Sequence, residues 1–245
     1  IQSLLLAWRL RRDGVSLWPR WDGWTPALAR VLRQYWPVVA GAALHNSSVL
    51  IDQAMATPLG SGSVAVLNYG NKLVALVQGV GATALGVAIL PYFARMIAAS
   101  DWRSVRQALR FYTRLILAVG VPFALLAALG SHAIIESVYQ RGAFTAADTL
   151  LVSQVQAMFV LQLPCYTLGI LFVQLILSLG TTRVMMWGTL LNVTLNVVLN
   201  YVLQRWLGVV GIALSTTLVY VASSIYLFVM LQRMLSAAEG GDHAA

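Results

Sequence analysis

The sequence has little charge and a single cysteine. Charged residues make up 10% of its 245 residues, whereas about a quarter of the residues in a soluble domain are charged. This scarcity, together with 59% hydrophobic residues and a mean hydropathy of +0.77, predicts an integral membrane protein. Cys165 has no partner for a disulfide within the chain and no metal-ligating neighbours. We therefore interpret it as a small apolar residue.

Recognisable catalytic motifs are also missing. The sequence has no paired-carboxylate motif, no phosphate-binding loop and no His/Cys cluster at metal-ligand spacing. We therefore predict that the chain is not an enzyme and has no cofactor. A net charge of +8 would suggest nucleic acid in a soluble protein. Here all but one of the basic residues fall in loops or near helix ends, so membrane topology explains the charge and we expect no nucleic-acid partner.

Apolar segments long enough to cross a bilayer, about 20 residues each, occur six times, at 36–57, 64–97, 110–129, 149–179, 184–204 and 209–231. They predict an all-α transmembrane lobe over residues 36–233. Residues 1–8 read as the end of a preceding transmembrane helix, 9–35 as a cytoplasmic interfacial linker, and 234–245 as a polar, disordered cytoplasmic tail. We expect the sequence to be the later part of a longer protein.

Breaks and close contacts within the spans are predicted from proline and glycine. Pro91 and Pro164 are expected to kink their helices. Close helix packing or bending is expected at Gly79, Gly81 and Gly86. Ser100 or Asp101 is expected to cap the helix that enters the third span.

Basic residues alternate between the two ends of the predicted lobe. Of the sixteen lysines and arginines, thirteen lie in 9–33, in 95–114 or at Arg183 and Arg233, and two lie in the alternate loops. Because positively charged loops stay in the cytoplasm, this pattern places the first set and the C-terminus there. The prediction is therefore a membrane protein with several spans and a cytoplasmic C-terminus.

Polar residues within the spans are the candidate functional groups. Asp52 and Lys72 are ionisable, and such residues in a membrane usually have partners or face water. Two alternatives remain open, a structural ion pair between them or separate functions in a hydrated cavity. Asn192, Asn196 and Asn200 follow one another at i, i+4 and i+8 and so share a helix face. They serve either as hydrogen-bonding contacts between helices or as ligand contacts.

Several stretches resemble one family in order and spacing: "SSVLIDQAMATPLGSGSVAVLNYGNKL", "LGVAILPYFAR", "VYQRGAFTAADT" and "LNVVLNYVLQRWLGVVGIALSTTL". The pattern resembles that of the MurJ/MviN lipid II flippases of the multidrug/oligosaccharidyl-lipid/polysaccharide exporter superfamily. The resemblance implies a two-lobed transporter, of which this chain is the second lobe, helices seven to twelve. The first lobe would then be missing from the sequence, in the same or in a separate chain.

The resemblance also implies two sites. Lys72 stands at a cavity arginine of the family and Asn71 at a neighbouring acid; with Asn68 they form the expected substrate-binding site. A possible sodium site would comprise Asp52, Asn196, Asn200 and Thr216, with a main-chain carbonyl near Ile212. Asn200 stands where the family can carry an acid, so proton coupling through Asp52 is the alternative. These departures suggest a divergent member.

The resemblance therefore implies a flippase that moves a polyprenyl-diphosphate-linked glycan, most simply lipid II, across the membrane by alternating access. Its partners would be the lipid bilayer and the lipid-linked substrate. Three alternatives remain: an exporter of another lipid-linked glycan, a multidrug exporter, and a non-transporting scaffold. The drug exporter predicts a cavity rich in acids and aromatics. The scaffold predicts that Asp52, Lys72 and Asn196 pack together without a cavity.

Overall fold

Helices make up the part of the chain that the computed structural model describes, residues 48–179 and 183–242. They are α1 (48–56), α2 (Ser63–Ala98), α3 (Trp102–Leu129), α4 (Ser131–Tyr139), α5 (Ala146–Val160), α6 (Leu163–Ser178), α7 (Arg183–Leu207) and α8 (Val209–Asp242), with a 3-10 turn at Thr57–Leu59. These ranges contain no strand, which confirms the all-α prediction. The expected helix end at 1–8, the linker at 9–35 and most of the first span lie outside the described residues.

Within residues 48–179 and 183–242, four segments are long and apolar enough to cross a membrane: Trp102–Leu129, Ala146–Ser178, Val184–Leu207 and Val209–Glu239. Their outer faces carry large apolar side chains, such as Leu126 on α3 and Trp206 on α7, which are 70% and 84% exposed. Exposed apolar surface on this scale is unfavourable in water and favourable against lipid. The chain is a multi-pass membrane protein.

The predicted span 149–179 is divided into two helices. α5 ends at Val160, and α6 begins at Leu163 with Pro164 in its first turn. Proline has no N–H to donate to the carbonyl four residues earlier, so it suits a helix start and interrupts a continuous helix. The Thr217 hydroxyl of α8 donates to the Met158 carbonyl at 2.6 Å, near the end of α5. The break expected at Pro164 is confirmed, whereas Pro91 lies within the continuous α2.

The basic end of the lobe joins α3 to α8. Asp101 caps α3 by accepting from the Ser104 N–H at 3.0 Å, and this hydrogen bonding lowers the pKa of Asp101. Arg106 donates through Nε and Nη2 to the two carboxylate oxygens of Glu239 at 2.6 and 2.8 Å. The chain beyond residue 233 is therefore helical as far as Asp242 rather than disordered, since Arg106 and the buried Leu235 attach it to the lobe.

The opposite end is formed by a loop that the sequence resemblance singled out. Residues 131–139 form α4 in the connection between the predicted spans 110–129 and 149–179. Tyr69 of α2 packs edge-on against Tyr139 and Phe144, with ring centroids 5.3 and 5.9 Å apart. Thr145 and Asp148 form a capping box at the start of α5. These contacts place the loop near the beginning of α2.

Close helix packing occurs at glycines other than those predicted. A Cβ at Gly70 would lie 2.6 Å from Val155 Cγ1, and one at Gly211 would lie 2.3 Å from the Leu203 carbonyl oxygen. A Cβ at Gly79 or Gly81 would meet no atom within 4 Å. In the described part of the lobe Gly79 and Gly81 are therefore not positions of close helix packing, and their alternative role in bending α2 stays a prediction. The same prediction for Gly86 lies outside the described side chains. α2 makes its close approach at Gly70, about two and a half to three turns earlier, where it meets α5.

Two apolar clusters hold the lobe together and leave a polar middle between them. One contains Phe93, Leu109, Phe172 and Leu231, from α2, α3, α6 and α8. The other joins α1, α2, α3, α5 and the first turns of α6 and α8, with Leu67, Val155 and Ile212 at its centre. Because lipid is as apolar as these side chains, their close van der Waals packing, and not removal from water, favours helix association here.

Candidate functional site

Asp52 lies at the centre of a buried polar cluster formed by α1, α7 and α8. Asp52 is buried, with only 8% of the residue exposed. Asn196 Nδ2 and Asn200 Nδ2 donate to Asp52 Oδ1 at 2.9 and 2.7 Å, and Thr216 Oγ1 donates to Asp52 Oδ2 at 3.1 Å. A buried carboxyl group requires such donors because it has lost its hydration. Asn196 and Asn200, two of the three asparagines on this face of α7, therefore hold Asp52.

The same cluster extends into the main chain of α8. The Ser215 hydroxyl donates to Asn200 Oδ1 and lies 2.8 Å from the Ile212 carbonyl. The Thr216 hydroxyl lies 3.1 Å from that carbonyl as well as from Asp52. Each hydroxyl has one hydrogen, so each can satisfy only one of its two acceptors at a time. The cluster therefore contains more oxygen acceptors than hydrogens to share among them.

The donor set matches a hard cation in its chemistry. Oxygen ligands suit such ions, and the Asp52 carboxylate lies beside the Thr216 hydroxyl, which also contacts the Ile212 carbonyl. Asn196 and Asn200 both turn their Nδ2 groups to Asp52, so each amide would have to rotate to offer its oxygen to a cation. Within the described ranges no three Asp, Glu, His or Cys side chains converge to hold a metal. Any cation here would depend on the single charge of Asp52.

A cavity of about 590 Å³ opens beside this cluster. It is lined by residues of α1, α2, α5, α6, α7 and α8, and by Gln162 just before α6. Asp52, Asn196 and Thr216 lie in its wall, with Val49 (51% exposed) and the exposed Asn68 among the other lining residues. The scaffold alternative, which predicts no cavity beside Asp52 and Asn196, is therefore wrong.

Lys72 is exposed, and it is absent from the lining of this cavity. Its neighbours Asn68 and Asn71, one turn before it and one residue before it, do line the cavity. Lys72 and Asp52 both lie in the described ranges, and no ion pair joins them. The alternative of a structural ion pair between these two residues is therefore wrong. The role of Lys72, Asn71 and Asn68 in substrate binding stays a prediction.

The cavity also includes residues that the sequence reading did not select. Gln162 and Gln174 line it, whereas Gln154 and Gln156, which carry the same side chain, do not. Tyr166 and Tyr220 meet edge to face in its wall, with ring centroids 5.6 Å apart. The spacing of Gln162, Tyr166 and Gly169 along one helix face was the available signal. This signal was weak, because the other faces of the helix are apolar, as expected for any membrane helix.

Comparison with known proteins places this lobe in a family. The family model described as "Lipid II flippase MurJ" matches residues 1–243. Probable lipid II flippases MurJ are 29% identical over 224 residues in Rhizobium tropici and 25% identical over 239 residues in Bdellovibrio bacteriovorus. These matches cover 91% and 95% of this chain but 42% and 45% of the relatives. The chain thus spans less than half the length of these relatives.

Solved structures agree with this fold. A lipid II flippase MurJ in an inward closed conformation superposes with a TM-score of 0.74 at 19% identity, covering 86% of this chain and 46% of that one. The Vibrio cholerae MATE transporter VcmN in its bent form gives 0.71 at 16% identity, covering 96% and 53%. The helical arrangement is therefore that of one lobe of such transporters. Since the family model spans nearly the whole sequence, this chain belongs to the MurJ lipid II flippase family.

Proposed function

We propose that this chain is the second lobe of a transporter that flips a polyprenyl-diphosphate-linked glycan, with lipid II as the first candidate, across the bacterial inner membrane. The observation that carries the proposal is the position of Lys72 in a lobe of this family. An ammonium group on an apolar helix is costly unless it faces water or an anion. Lys72 is exposed on α2, one turn from the cavity residue Asn68, where an anionic headgroup can reach it.

The diphosphate belongs to Lys72 and not to the cavity inside the lobe. Among the described residues, the wall of that cavity contains no basic residue, and Asp52 is the only one with a formal charge. A diphosphate would meet repulsion there, whereas Lys72 supplies a positive charge on the outer face of α2. The other half of the headgroup site would be contributed by the part of the transporter that this chain does not span.

The Asp52 cluster supplies the coupling site in this proposal. A sodium ion would be held by Asp52, Asn196, Asn200 and Thr216 with the Ile212 carbonyl, once the two amides turn their oxygens to it. Its binding would strengthen the contact that α1, α7 and α8 already make at this cluster. Each charge that crosses a potential of 100 mV contributes about 2.3 kcal/mol, which is enough to bias two transporter states. A proton on Asp52 is the competing coupling ion.

Replacement of Lys72 tests the headgroup role. In the full-length protein reconstituted into proteoliposomes, Lys72→Ala should lower the flipping rate of a fluorescent lipid II analogue by about tenfold, the effect of losing one charged hydrogen bond. Lys72→Arg should keep most of the activity, because the charge remains. Arg110→Gln, which removes an exposed arginine on α3, is the matched control and should have no effect.

Equal flipping by wild type and Lys72→Ala, with both proteins folded, would remove Lys72 from the headgroup site.

Export of small cations is the second candidate function, favoured by Asp52 and the two tyrosines in the cavity wall. It predicts the opposite pattern: export of a cationic dye that is unchanged in Lys72→Ala and lost in Asp52→Asn. The two substrates therefore separate the two functions in the same variants.

A further inference from the structure

Four buried amide atoms have no hydrogen-bond partner in residues that line the cavity beside Asp52. They are Asn71 Oδ1, Gln78 Nε2, Gln162 Oε1 and Asn192 Oδ1. Buried polar atoms in proteins nearly always have a partner, since an unpaired one costs about 1–3 kcal/mol. Amides from three separate parts of the fold, α2, the α5–α6 junction and α7, all contribute. Their shared deficit indicates that the cavity receives hydrogen-bonding groups from outside the chain.

The charge of the residues that line the cavity indicates which kind of ligand group can bind there. No lysine or arginine of the described ranges lines the cavity, and the Asp52 carboxylate already accepts three hydrogen bonds from its neighbours. An anion would find no opposite charge, and the unpaired atoms include both acceptors and a donor. An uncharged ligand with hydroxyl and amide groups matches this set, because it donates and accepts without a desolvated charge.

Aromatic rings and size narrow the class further. Tyr166 and Tyr220 both line the cavity, and their rings contact each other edge to face. A volume of about 590 Å³ lies within the range of about 300–1,000 Å³ typical of small-ligand sites. Sugar rings have apolar C–H faces that pack on aromatic rings and hydroxyl rims that bond to amides. The wall therefore combines the two kinds of contact that an uncharged sugar unit uses.

We propose that this cavity inside the lobe binds an uncharged glycan unit through Asn71, Gln78, Gln162 and Asn192. For the identity of its natural ligand the inference rests on the proposed function, in which the glycan is part of the transported lipid. Asn68 lines the cavity and lies one helical turn from Lys72. A headgroup could thus place its diphosphate near Lys72 and a neutral sugar among the amides, so the lobe would read two parts of one substrate.

Gly169 offers a direct way to fill the cavity. It lies in the wall, and a Cβ added there would meet no atom within 4 Å. Gly169→Ala therefore adds one methyl group to open space and favours the helix, and it serves as the control. Gly169→Leu places a branched side chain in the same space. Asn192→Leu removes one of the unpaired amides and provides a second, independent variant.

The test measures binding of N,N′-diacetylchitobiose, an uncharged N-acetylated disaccharide, to the full-length detergent-solubilised protein by saturation-transfer NMR. We expect saturable binding to wild type and to Gly169→Ala. Gly169→Leu and Asn192→Leu should each weaken it by about tenfold or more. Thermal melting shows whether Gly169→Leu and Asn192→Leu are folded. If one of them is unfolded, the binding measured with the other tests the proposal.

Absence of saturable binding to the wild type would mean that water alone fills the cavity, and it would overturn the inference. Equal affinity in both folded leucine variants would also overturn it, since the sugar would then sit elsewhere. The flipping assay reports separately on the proposed function. A protein that flips the lipid but binds no disaccharide rejects only the cavity inference, and one that binds the disaccharide but flips nothing rejects only transport.

Discussion

At the scale of single residues, the amides decide what the few charges can do. Asp52 accepts from two asparagines and a threonine, so a buried carboxylate is tolerated without a lysine beside it. Lys72 is exposed and is left to interact with something outside the lobe. Amides stabilise a charge without neutralising it, which leaves Asp52 able to bind an ion.

Exchange of Asn200 for aspartate tests Asp52 as a cation site. Asn200 Nδ2 lies 2.7 Å from Asp52 Oδ1, so Asn200→Asp would replace a favourable donor with a second carboxylate. The two acids repel each other unless a cation lies between them. We therefore expect the variant to unfold at a lower Tm than wild type in choline chloride. In NaCl the Tm should rise by about 2 °C or more between 1 and 100 mM, because a ligand that binds only the folded state stabilises it.

Wild type should show a smaller rise in the same titration, and KCl at equal ionic strength is the control for screening. Asn192→Asp, about two turns before Asn200 on α7 and bonded to Ser223 instead of Asp52, is the matched control variant. If the Tm of Asn200→Asp shows no more response to sodium than that of Asn192→Asp, the cluster is not a sodium site and proton coupling remains.

At the scale of secondary-structure elements, helix ends and crossings depend on a small number of positions. The turn between α7 and α8 uses Gly208 at φ 56°, a backbone conformation that favours glycine. Three residues later Gly211 brings α8 against the end of α7. This hairpin brings the Asn200 end of α7 next to Thr216 of α8. The Asp52 cluster therefore depends on two glycines that touch none of its atoms.

Substitution of Gly211 should damage this crossing. A Cβ there would lie 2.3 Å from the Leu203 carbonyl oxygen and 2.5 Å from its carbon, which are main-chain atoms that cannot rotate away. We expect Gly211→Ala to lower the stability of the protein by about 1–3 kcal/mol, measured as reduced Tm in detergent. Gly81→Ala is the control, since its Cβ would meet nothing within 4 Å and alanine favours a helix. A Gly211→Ala protein as stable as Gly81→Ala would contradict the proposed close approach.

Sequence patterns predicted the long elements and missed the short ones. Long apolar runs defined α2, α3, α7 and α8 because a membrane helix requires about 20 such residues. α4 escaped detection because nine residues within a polar stretch carry no comparable signal. The helical C-terminus escaped because its stability comes from Arg106, which lies 133 residues away in the sequence.

At the scale of the whole molecule, the described part of the lobe has two distinct ends. Arg106 and Glu239 bring the start of α3 and the end of α8 together at one end. Tyr69, Tyr139 and Phe144 bring the start of α2 and the 140–145 loop together. The charge pattern predicts the same grouping of segments, with the arginine-rich set in the cytoplasm. Which end faces the cytoplasm stays a prediction.

Cysteine labelling tests this orientation. Ala99 lies next to the start of α3 and Ala143 in the 140–145 loop, and both are exposed alanines outside helices. In the full-length protein with its native cysteines replaced, a membrane-impermeant maleimide applied to intact spheroplasts should label Ala143→Cys. Ala99→Cys should react only after the membrane is opened. The reverse pattern would invert the predicted topology.

The sequence by itself determined that this chain is a helical membrane protein, which of its segments share a side, and to which family it belongs. The membrane class and the grouping of segments follow from local composition, because apolar length and loop charge act on each segment separately. The family follows from the order and spacing of the motifs that resemble it. Only the tertiary structure decided that Asp52 is paired with amides instead of Lys72, and that four other amides around a cavity lack partners. Those outcomes depend on how α1, α2, α6, α7 and α8 pack, and side chains from distant segments meet only when the helices have assembled.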